Sequence, residues 1–285
     1  VIEPHPKGRY KRFSATTLAA LEALAQGSPA EVILQALLVL GADTLRAVIE
    51  RANLDSQRAV QATHELIASG QMLVLEGSPT DPAADDLVIH RALWEQIAQR
   101  AIQETEAYHK AYPLRRGMPR EELRSRLKDL TRASPRLPNA ALRRLVAEGI
   151  LLEAGPLVHR PGHAIRFTPA QQQMIQRLKA RFAASPYSPP TMKECQTEVG
   201  EDVIAALVDL GEFVAVAPDV VFRREDYDQM AADVRRLIQQ NGALTVAQAR
   251  DHFNTSRRYV LAFLEHLDAI GVTVRQGDER RLRPS

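Results

Sequence analysis

The chain has 285 residues, with 37 lysines and arginines against 35 aspartates and glutamates, and 45% of its residues are apolar. Single hydrophobic cores stop growing at about 250 to 300 residues, so this length favours several small domains, and the apolar fraction excludes a mostly disordered chain. No apolar run approaches the roughly 18 residues of a membrane span. The only cysteine, Cys195, can form neither an internal disulfide nor a thiolate zinc site, so we expect a soluble, cytoplasmic protein with no membrane partner.

The opening residues are typical of a linker. The chain starts at Val1, and prolines, a glycine and several basic residues follow up to Phe13. Such a composition favours turns and irregular backbone. We therefore expect residues 1–13 to connect a preceding domain to the first folded domain, and the chain to be part of a longer protein.

A leucine four positions before a glycine recurs along the chain, each time at the end of an amphipathic helical pattern and before a β-type run. Glycine suits this position because a chain leaving a helix often turns through a left-handed conformation that strains other residues. The spacing of the repeat is that of a small domain, which indicates tandem domains. The repeated pairs are Leu66 and Gly70, Leu145 and Gly149, Leu207 and Gly211, and Leu267 and Gly271.

Each repeat is predicted to contain three helices followed by a β-hairpin. Capping boxes, in which a Ser or Thr and a Glu or Gln three positions later bond to each other's backbone N–H, mark helix starts at Ser28, Thr168, Thr191 and Thr245. The predicted strands are 72–75 and 87–89 in the first repeat, 213–216 and 220–222 in the third, and 272–275 and 280–282 in the fourth. The predicted helices of the fourth repeat are 225–240, 246–252 and 255–270.

Three helices and a hairpin form a winged helix-turn-helix. We predict a mainly α protein with small β-hairpins, an α+β fold of four tandem winged helix-turn-helix domains in an elongated arm. Four unrelated helical hairpins are the alternative. The predicted domains are winged helix 1 at 14–91, winged helix 2 at 92–166, winged helix 3 at 167–223 and winged helix 4 at 224–285.

The charge of each third helix separates repeats that can bind a polyanion from repeats that cannot. Winged helices usually contact nucleic acid through the third helix and the wing. The third helix of the first repeat, 55–69, has one arginine against two acids, and that of the third repeat, 201–210, has three acids and no base. Both helices would repel phosphate, so we interpret these two repeats as scaffold.

The fourth repeat has the opposite character. Its third helix begins with Thr255, Ser256, Arg257 and Arg258, which places hydroxyls, guanidiniums and free backbone N–H groups at the positive end of the helix dipole. The wing adds arginines around a hairpin-turn signal, so helix end and wing frame a candidate phosphate cleft. A solvated edge strand protected by its charge is the alternative for the wing. The candidate wing residues are Arg275, Gly277, Asp278, Arg280, Arg281 and Arg283.

The middle of the chain is basic. Residues 112–185 have an excess of lysine and arginine, whereas residues 41–90 have an excess of acids. This pattern predicts a second, nonspecific polyanion contact, and ion pairs with the acidic first repeat are an equally good alternative. The candidate residues are Arg115, Arg116, Arg120, Arg124, Arg143 and Arg144.

The common nucleotide-binding and hydrolase motifs are absent from the sequence, which contains no GxxxxGK[ST], GxGxxG, HExxH or GxSxG. We therefore predict no catalytic residue and no enzyme activity. His159 and His163 lie four residues apart, but they lie in a Pro/Gly stretch without a neighbouring carboxylate or thiol. We predict neither a metal site nor a cofactor in this chain.

Two stretches carry the most specific motifs. The first comprises Thr245-Val246-Ala247-Gln248-Ala249-Arg250-Asp251, Thr255-Ser256-Arg257-Arg258-Tyr259 and the Gly271–Arg280 wing. The second comprises Tyr112-Pro113-Leu114-Arg115 and Arg120-Glu121-Glu122-Leu123-Arg124. They resemble the last and the second winged helices of the bacterial selenocysteine-specific elongation factor, SelB. Gly27-Ser28-Pro29 and the opening residues resemble that family's junction with a preceding barrel domain, so the resemblance spans essentially the whole chain.

This resemblance implies that separate parts of the whole protein bind the tRNA and the mRNA. In the family, an N-terminal GTPase that uses GTP and Mg carries selenocysteyl-tRNA, and an arm of four winged helices tethers it to an mRNA hairpin, the SECIS element, beside a UGA codon. The last winged helix grips the hairpin tip. The resemblance also implies the ribosome as a partner, a monomer, and GTP and tRNA sites outside this chain. The implied RNA-binding residues are Thr255, Ser256, Arg257 and Arg258 at the helix end, and Arg275, Gly277, Asp278 and Arg280 in the wing.

Two other functions fit tandem winged helices. A DNA-binding regulator or replication initiator would need basic third helices in more than one repeat and usually has two-fold symmetry. A protein-interaction scaffold would bind no nucleic acid, and its binding would be insensitive to salt. Competition of a bound RNA hairpin by duplex DNA of equal charge would separate the RNA-binding function from the DNA-binding one.

Overall fold

The computed structural model describes residues 27–283. The predicted linker 1–13 and the start of the first predicted domain lie outside these residues. The described chain forms two compact units, one of residues 27–111 and 117–163 and the other of residues 112–116 and 164–283. No helix within residues 27–283 has the length and apolar character of a membrane span.

The first half of unit one is a small sheet against three helices. Its strands pair antiparallel in the order β1-β3-β2, with Ala42 opposite Ile89 and Met72 opposite His90. The core is formed by residues such as Ile33 and Leu66, which are almost fully buried. The elements are α1 (Pro29–Leu40), β1 (Ala42–Thr44), α2 (Leu45–Ala52), α3 (Ser56–Ala68), β2 (Met72–Val74) and β3 (Leu87–His90).

The second half of unit one repeats this plan with a longer first helix and one additional short helix, Lys128–Thr131. The sheet order is β4-β6-β5, and Trp94, Leu123 and Leu145 lie in the core. The elements are α4 (Arg91–Ala111), β4 (Met118–Pro119), α5 (Arg120–Arg126), α6 (Lys128–Thr131), α7 (Leu137–Ala147), β5 (Leu152–Ala154) and β6 (Leu157–His159).

Unit two contains two further sheets. The first is the hairpin β7-β8, and the second has the order β10-β11-β9. Val220 and Phe222 of the first hairpin belong to the same core as Met230 and Phe263 of the following helices. The elements are α8 (Pro169–Ala184), α9 (Met192–Val199), α10 (Glu201–Asp209), β7 (Phe213–Ala217), β8 (Val220–Arg223), α11 (Arg224–Asn241), β9 (Leu244–Thr245), α12 (Val246–Phe253), α13 (Arg257–Ala269), β10 (Thr273–Gln276) and β11 (Glu279–Leu282).

The predicted capping boxes and helix-ending glycines are confirmed. All four predicted capping boxes are present, at Ser28, Thr168, Thr191 and Thr245. The repeated glycines have positive φ, since Gly70, Gly149, Gly211 and Gly271 lie at +69°, +68°, +77° and +76°. Helices followed by small antiparallel hairpins give the expected α+β fold of winged-helix type.

One helix starts later than predicted. The third helix of the fourth repeat begins at Arg257, two residues after the predicted start. Asn254 adopts a left-handed conformation with φ +46° and ends α12, and Ser256 is extended. Thr255 therefore belongs to the turn between two helices and not to the first helical turn.

Candidate nucleic-acid interface

The start of α13 presents an open helix N-terminus. Ser256 is the N-cap residue, and its side chain makes no capping hydrogen bond. Ser256, Arg257 and Arg258 are all exposed. Because helix N-terminal N–H groups and the helix dipole attract anions, this end of α13 can bind a phosphate with its backbone and its guanidiniums together.

A neighbouring segment of unit two holds this helix end in place. The Thr255 hydroxyl donates to the Tyr187 carbonyl and lies 2.9 Å from the Ser188 hydroxyl. The Tyr259 hydroxyl donates to the Pro189 carbonyl at 2.9 Å. The structure thus gives Thr255 a different place from the predicted one, because its hydroxyl faces this segment and its side chain is only partly exposed.

The two arginines of the first turn differ in their surroundings. The Arg257 side chain makes no hydrogen bond or ion pair with any other residue in 27–283. The Arg258 guanidinium lies 5.4 Å from the centre of the Tyr259 ring and pairs with the carboxylate of Asp219. Asp219 lies between the predicted strands 213–216 and 220–222, and nothing in the local sequence indicates that its carboxylate meets Arg258.

The wing has the predicted turn and an exposed tip. Gly277, with φ +62°, connects β10 to β11, and Gly277 and Asp278 are exposed. The Arg275 Nε donates to the Gly277 carbonyl at 2.9 Å. This bond holds the exposed Arg275 guanidinium at the tip of the wing. Arg281 is also exposed and lies 3.7 Å from Glu279.

Arg280 lies inside the domain, which corrects its predicted place on the RNA-facing surface. Its side chain is 1% exposed, and its Nε lies 3.1 Å from the Asp268 carboxylate. The Thr273 hydroxyl donates to the other carboxylate oxygen of Asp268 at 2.5 Å. Neighbouring residues of a strand face opposite sides of the sheet, so Arg281 faces solvent while Arg280 faces the core. A phosphate at the surface does not reach the Arg280 guanidinium in this arrangement.

The central arginines are engaged within their own compact units. Arg143 pairs with Glu76, and the Arg144 Nη1 donates to the Val74 carbonyl at 2.9 Å. The ion pairs that the sequence left open as the alternative are thus present between the second and first predicted repeats. The other partners are the Tyr112 ring for Arg115, the Asp209 carbonyl for Arg116, Glu153 for Arg120 and Glu121 for Arg124.

Three histidines meet in unit one, although only two of them were singled out in the sequence. The His109 ring stacks on the His163 ring at 3.6 Å, and the His159 ring lies 6.5 Å from that of His163. Burial lowers the pKa of His109 to about 4, and the neighbouring histidines and Arg160 lower it in the same direction. The Arg160 backbone N–H donates to His109 Nε2 at 3.2 Å. Within residues 27–283, no group of three or more His, Cys, Asp or Glu could hold a metal ion.

The helices, the hairpins and the exposed basic helix end define the chain as a winged-helix protein. Residues 102–159 and residues 236–282 each match a family model described as elongation factor SelB, winged helix. Both matches are to the same family, so the chain is similar to SelB winged-helix domains over these two segments. The second match includes α13 and the wing.

Curated relatives support this assignment. The chain is 23% identical over 286 residues to the selenocysteine-specific elongation factor of Desulfomicrobium baculatum, a match that covers 98% of the chain and 44% of the relative. It is 28% identical over 198 residues to the selenocysteine-specific elongation factor of Escherichia coli K12, covering 65% of the chain and 30% of the relative. The chain therefore spans less than half the length of these relatives.

Two solved structures are similar to this one. A bacterial selenocysteine-specific elongation factor aligns over 98% of this chain and 42% of its own, with a TM-score of 0.50 and 14% identity, a likeness of fold. The mRNA-binding domain of E. coli SelB, solved in complex with SECIS RNA, aligns over 41% of this chain and 100% of its own, with a TM-score of 0.35 and 26% identity.

Proposed function

We propose that this chain is an RNA-binding part of a selenocysteine-specific translation elongation factor and that its last winged helix binds the SECIS mRNA hairpin. The observation that carries the proposal is the exposed start of α13. Ser256, Arg257 and Arg258 lie together there, within the segment that matches the SelB winged-helix family. The two curated relatives, both selenocysteine-specific elongation factors, support the same function.

The proposal includes four winged helices at 14–91, 92–166, 167–223 and 224–285. The four separate small sheets of the described residues support this division. The repeated helix-ending glycines support it as well, because each one precedes a hairpin. The third helices α3 and α10 carry few bases, so we propose that the first and third winged helices act as scaffold and do not contact RNA.

The shape of an RNA stem explains the use of a helix end and a wing. An A-form helix hides its base edges in a deep, narrow groove, so a specific reader uses backbone shape and unstacked bases. In the proposed complex, the N-terminus of α13 binds phosphates through N–H groups, Arg257 and Arg258. The exposed wing tip with Arg275, Gly277 and Asp278 lies beside a loop base, where glycine allows close backbone approach.

The remaining parts of the proposal follow from the family. The whole protein would carry GTP, Mg and selenocysteyl-tRNA on domains outside this chain, work on the ribosome in the cytoplasm and be a monomer. This chain would supply binding and no catalysis. We leave the central arginines out of the RNA-binding surface because they lie outside the start of α13 and the wing tip; their guanidiniums contact carboxylates, carbonyls or a ring.

A binding titration tests the proposal. Fluorescence anisotropy of a labelled SECIS hairpin is measured with the full chain and with the variant Arg257→Ala/Arg258→Ala. Arg100→Ala is the matched control, because Arg100 is exposed, is paired with Glu104 and lies in unit one. We expect the double variant to weaken binding at least tenfold, on the scale of about 1 to 3 kcal/mol for each specific contact, and the control to bind as the wild type does. Equal affinity of both variants, or equal competition by duplex DNA, would reject the proposal.

A further inference from the structure

The Arg258 guanidinium is held by a carboxylate from the neighbouring hairpin. Its Nη2 pairs with the Asp219 carboxylate and lies 3.4 Å from the Asp219 carbonyl oxygen. Asp219 is in the turn between β7 and β8, outside the repeat that contains α13. The protein itself thus supplies an anion at the helix end where a phosphate is proposed to bind.

The fold fixes Asp219 beside α13. Its carbonyl oxygen accepts a hydrogen bond from the Met192 backbone N–H at 3.3 Å, and the next residue, Val220, is 1% exposed. Phe222 of the same strand packs with its ring 5.9 Å from the ring of Phe263 in α13. A packed core therefore places the backbones of Asp219 and Arg258 so that their exposed side chains are within reach of each other.

The ion pair is also open enough to exchange with another anion. The side chains of Arg258 and Asp219 are 46% and 62% exposed. Ion pairs at such exposure contribute little net free energy, because water and salt screen them. A phosphate that approaches the start of α13 can therefore replace the carboxylate.

We infer that Asp219 is a specificity-determining residue whose carboxylate pairs with the Arg258 guanidinium until a well-placed phosphate replaces it. This inference rests on the proposed function. A phosphate that docks without displacing the carboxylate meets its repulsion and gains less from the shared guanidinium. An RNA recovers the Arg258 contact when its backbone fits the helix end and the wing together, so loosely docked polyanions are disfavoured.

The test compares specific and nonspecific RNA. The full chain is titrated with a labelled SECIS hairpin and with a labelled RNA duplex of equal charge, and anisotropy gives both dissociation constants. Wild type, Asp219→Asn, Arg258→Ala and the double variant form a double-mutant cycle. We expect D219N to tighten duplex binding about two- to fivefold, the range of an exposed ion pair, and to tighten hairpin binding less. In the R258A background the effect of D219N disappears, because the contact it frees no longer exists.

Glu194 offers a matched control. It is exposed and within electrostatic reach of Arg258, but its carboxylate is bonded to the backbone and hydroxyl of Thr191. Glu194→Gln changes the net charge by the same amount as D219N and keeps the capping box, as Gln171 does for Thr168. We expect E194Q to change duplex binding by less than half of the D219N effect.

The outcomes separate the inference from the proposed function. If the wild-type chain prefers the hairpin but D219N changes neither affinity, the inference is wrong and the proposed function stands. If D219N still tightens duplex binding in the R258A background, or if E194Q tightens it by the same amount, the effect comes from long-range charge. Either result also rejects the inference. A wild-type chain that does not prefer the hairpin over the duplex overturns the proposed function itself.

Discussion

Arg280 connects the wing to the end of α13 through Asp268. The Arg280 Nε lies 3.1 Å from an Asp268 carboxylate oxygen, and the arginine side chain is 1% exposed. Thr273, the first residue of β10, donates its hydroxyl to the same carboxylate. One acid of α13 thus contacts both wing strands, so the wing is joined to the helix that begins at the candidate RNA site.

We expect Arg280→Ala to destabilise the last winged helix by about 3 kcal/mol, because it leaves the largely buried Asp268 carboxylate with only the Thr273 hydroxyl as a partner. Hydrogen exchange of the β10 and β11 amides measures this effect locally. Arg281→Ala is the control in the adjacent, exposed position, and it should change the stability by less than about 0.5 kcal/mol. Equal protection of the wing in both variants would contradict the role of the buried pair.

Arg258→Ala should weaken hairpin binding by about 1 to 3 kcal/mol and lower the slope of log K against log salt by about one. The reason is that one guanidinium–phosphate contact, with its released counterion, is lost. Anisotropy titrations at several salt concentrations measure both quantities. An unchanged affinity together with an unchanged salt slope would show that no phosphate contacts Arg258.

Arg143→Ala should leave hairpin affinity within about twofold of the wild type, because Arg143 lies in α7, outside the start of α13 and the wing tip where we propose that the RNA binds. Arg143→Ala also removes one of the two arginines that form ion pairs with Glu76, and Arg136 remains as the other. We expect a loss of stability of up to about 1 kcal/mol in unit one, the range of partly exposed ion pairs. Urea unfolding followed by Trp94 fluorescence measures it. A large loss of hairpin affinity would restore the central arginines to the RNA-binding surface.

The histidine cluster should make unit one less stable in acid. The pKa of His109 is about 4 in the folded chain, against an ordinary value of 6.5, so the unfolded chain takes up this proton first. Stability from this group is fully present above about pH 6.5 and is lost as the pH falls towards 4. His109 Nε2 now accepts a hydrogen bond from the Arg160 backbone N–H. Protonation would place a hydrogen on this nitrogen, so that two N–H groups would face each other.

Urea midpoints from Trp94 fluorescence, measured between pH 7.5 and about 4, check this prediction. His109→Gln keeps an acceptor but cannot titrate, so the difference between variant and wild type isolates the contribution of this histidine. The midpoint of the wild type should fall more steeply than that of H109Q. Parallel curves would show that His109 does not contribute.

The local features of the fold could be predicted because they depend on residues close in sequence. A capping box needs only Thr245 and Gln248, and the left-handed turn at Gly271 needs only a residue without a Cβ atom. The start of α13 was placed two residues early because Asn254 adopts the left-handed conformation, a choice that the helical pattern of its neighbours does not reveal. The exposed basic character of Arg257 and Arg258 followed from the same local reading.

The helices, the hairpins, the family resemblance and the basic helix end could be predicted from the residues alone, since propensity, capping and charge act within a few positions. Which charges remain available depends on the tertiary packing. It turned Arg280 inward to Asp268, set Asp219 against Arg258 and brought His109 to His163. These partners are set by how hairpins and helices pack, because the packed core brings together side chains that are far apart along the chain.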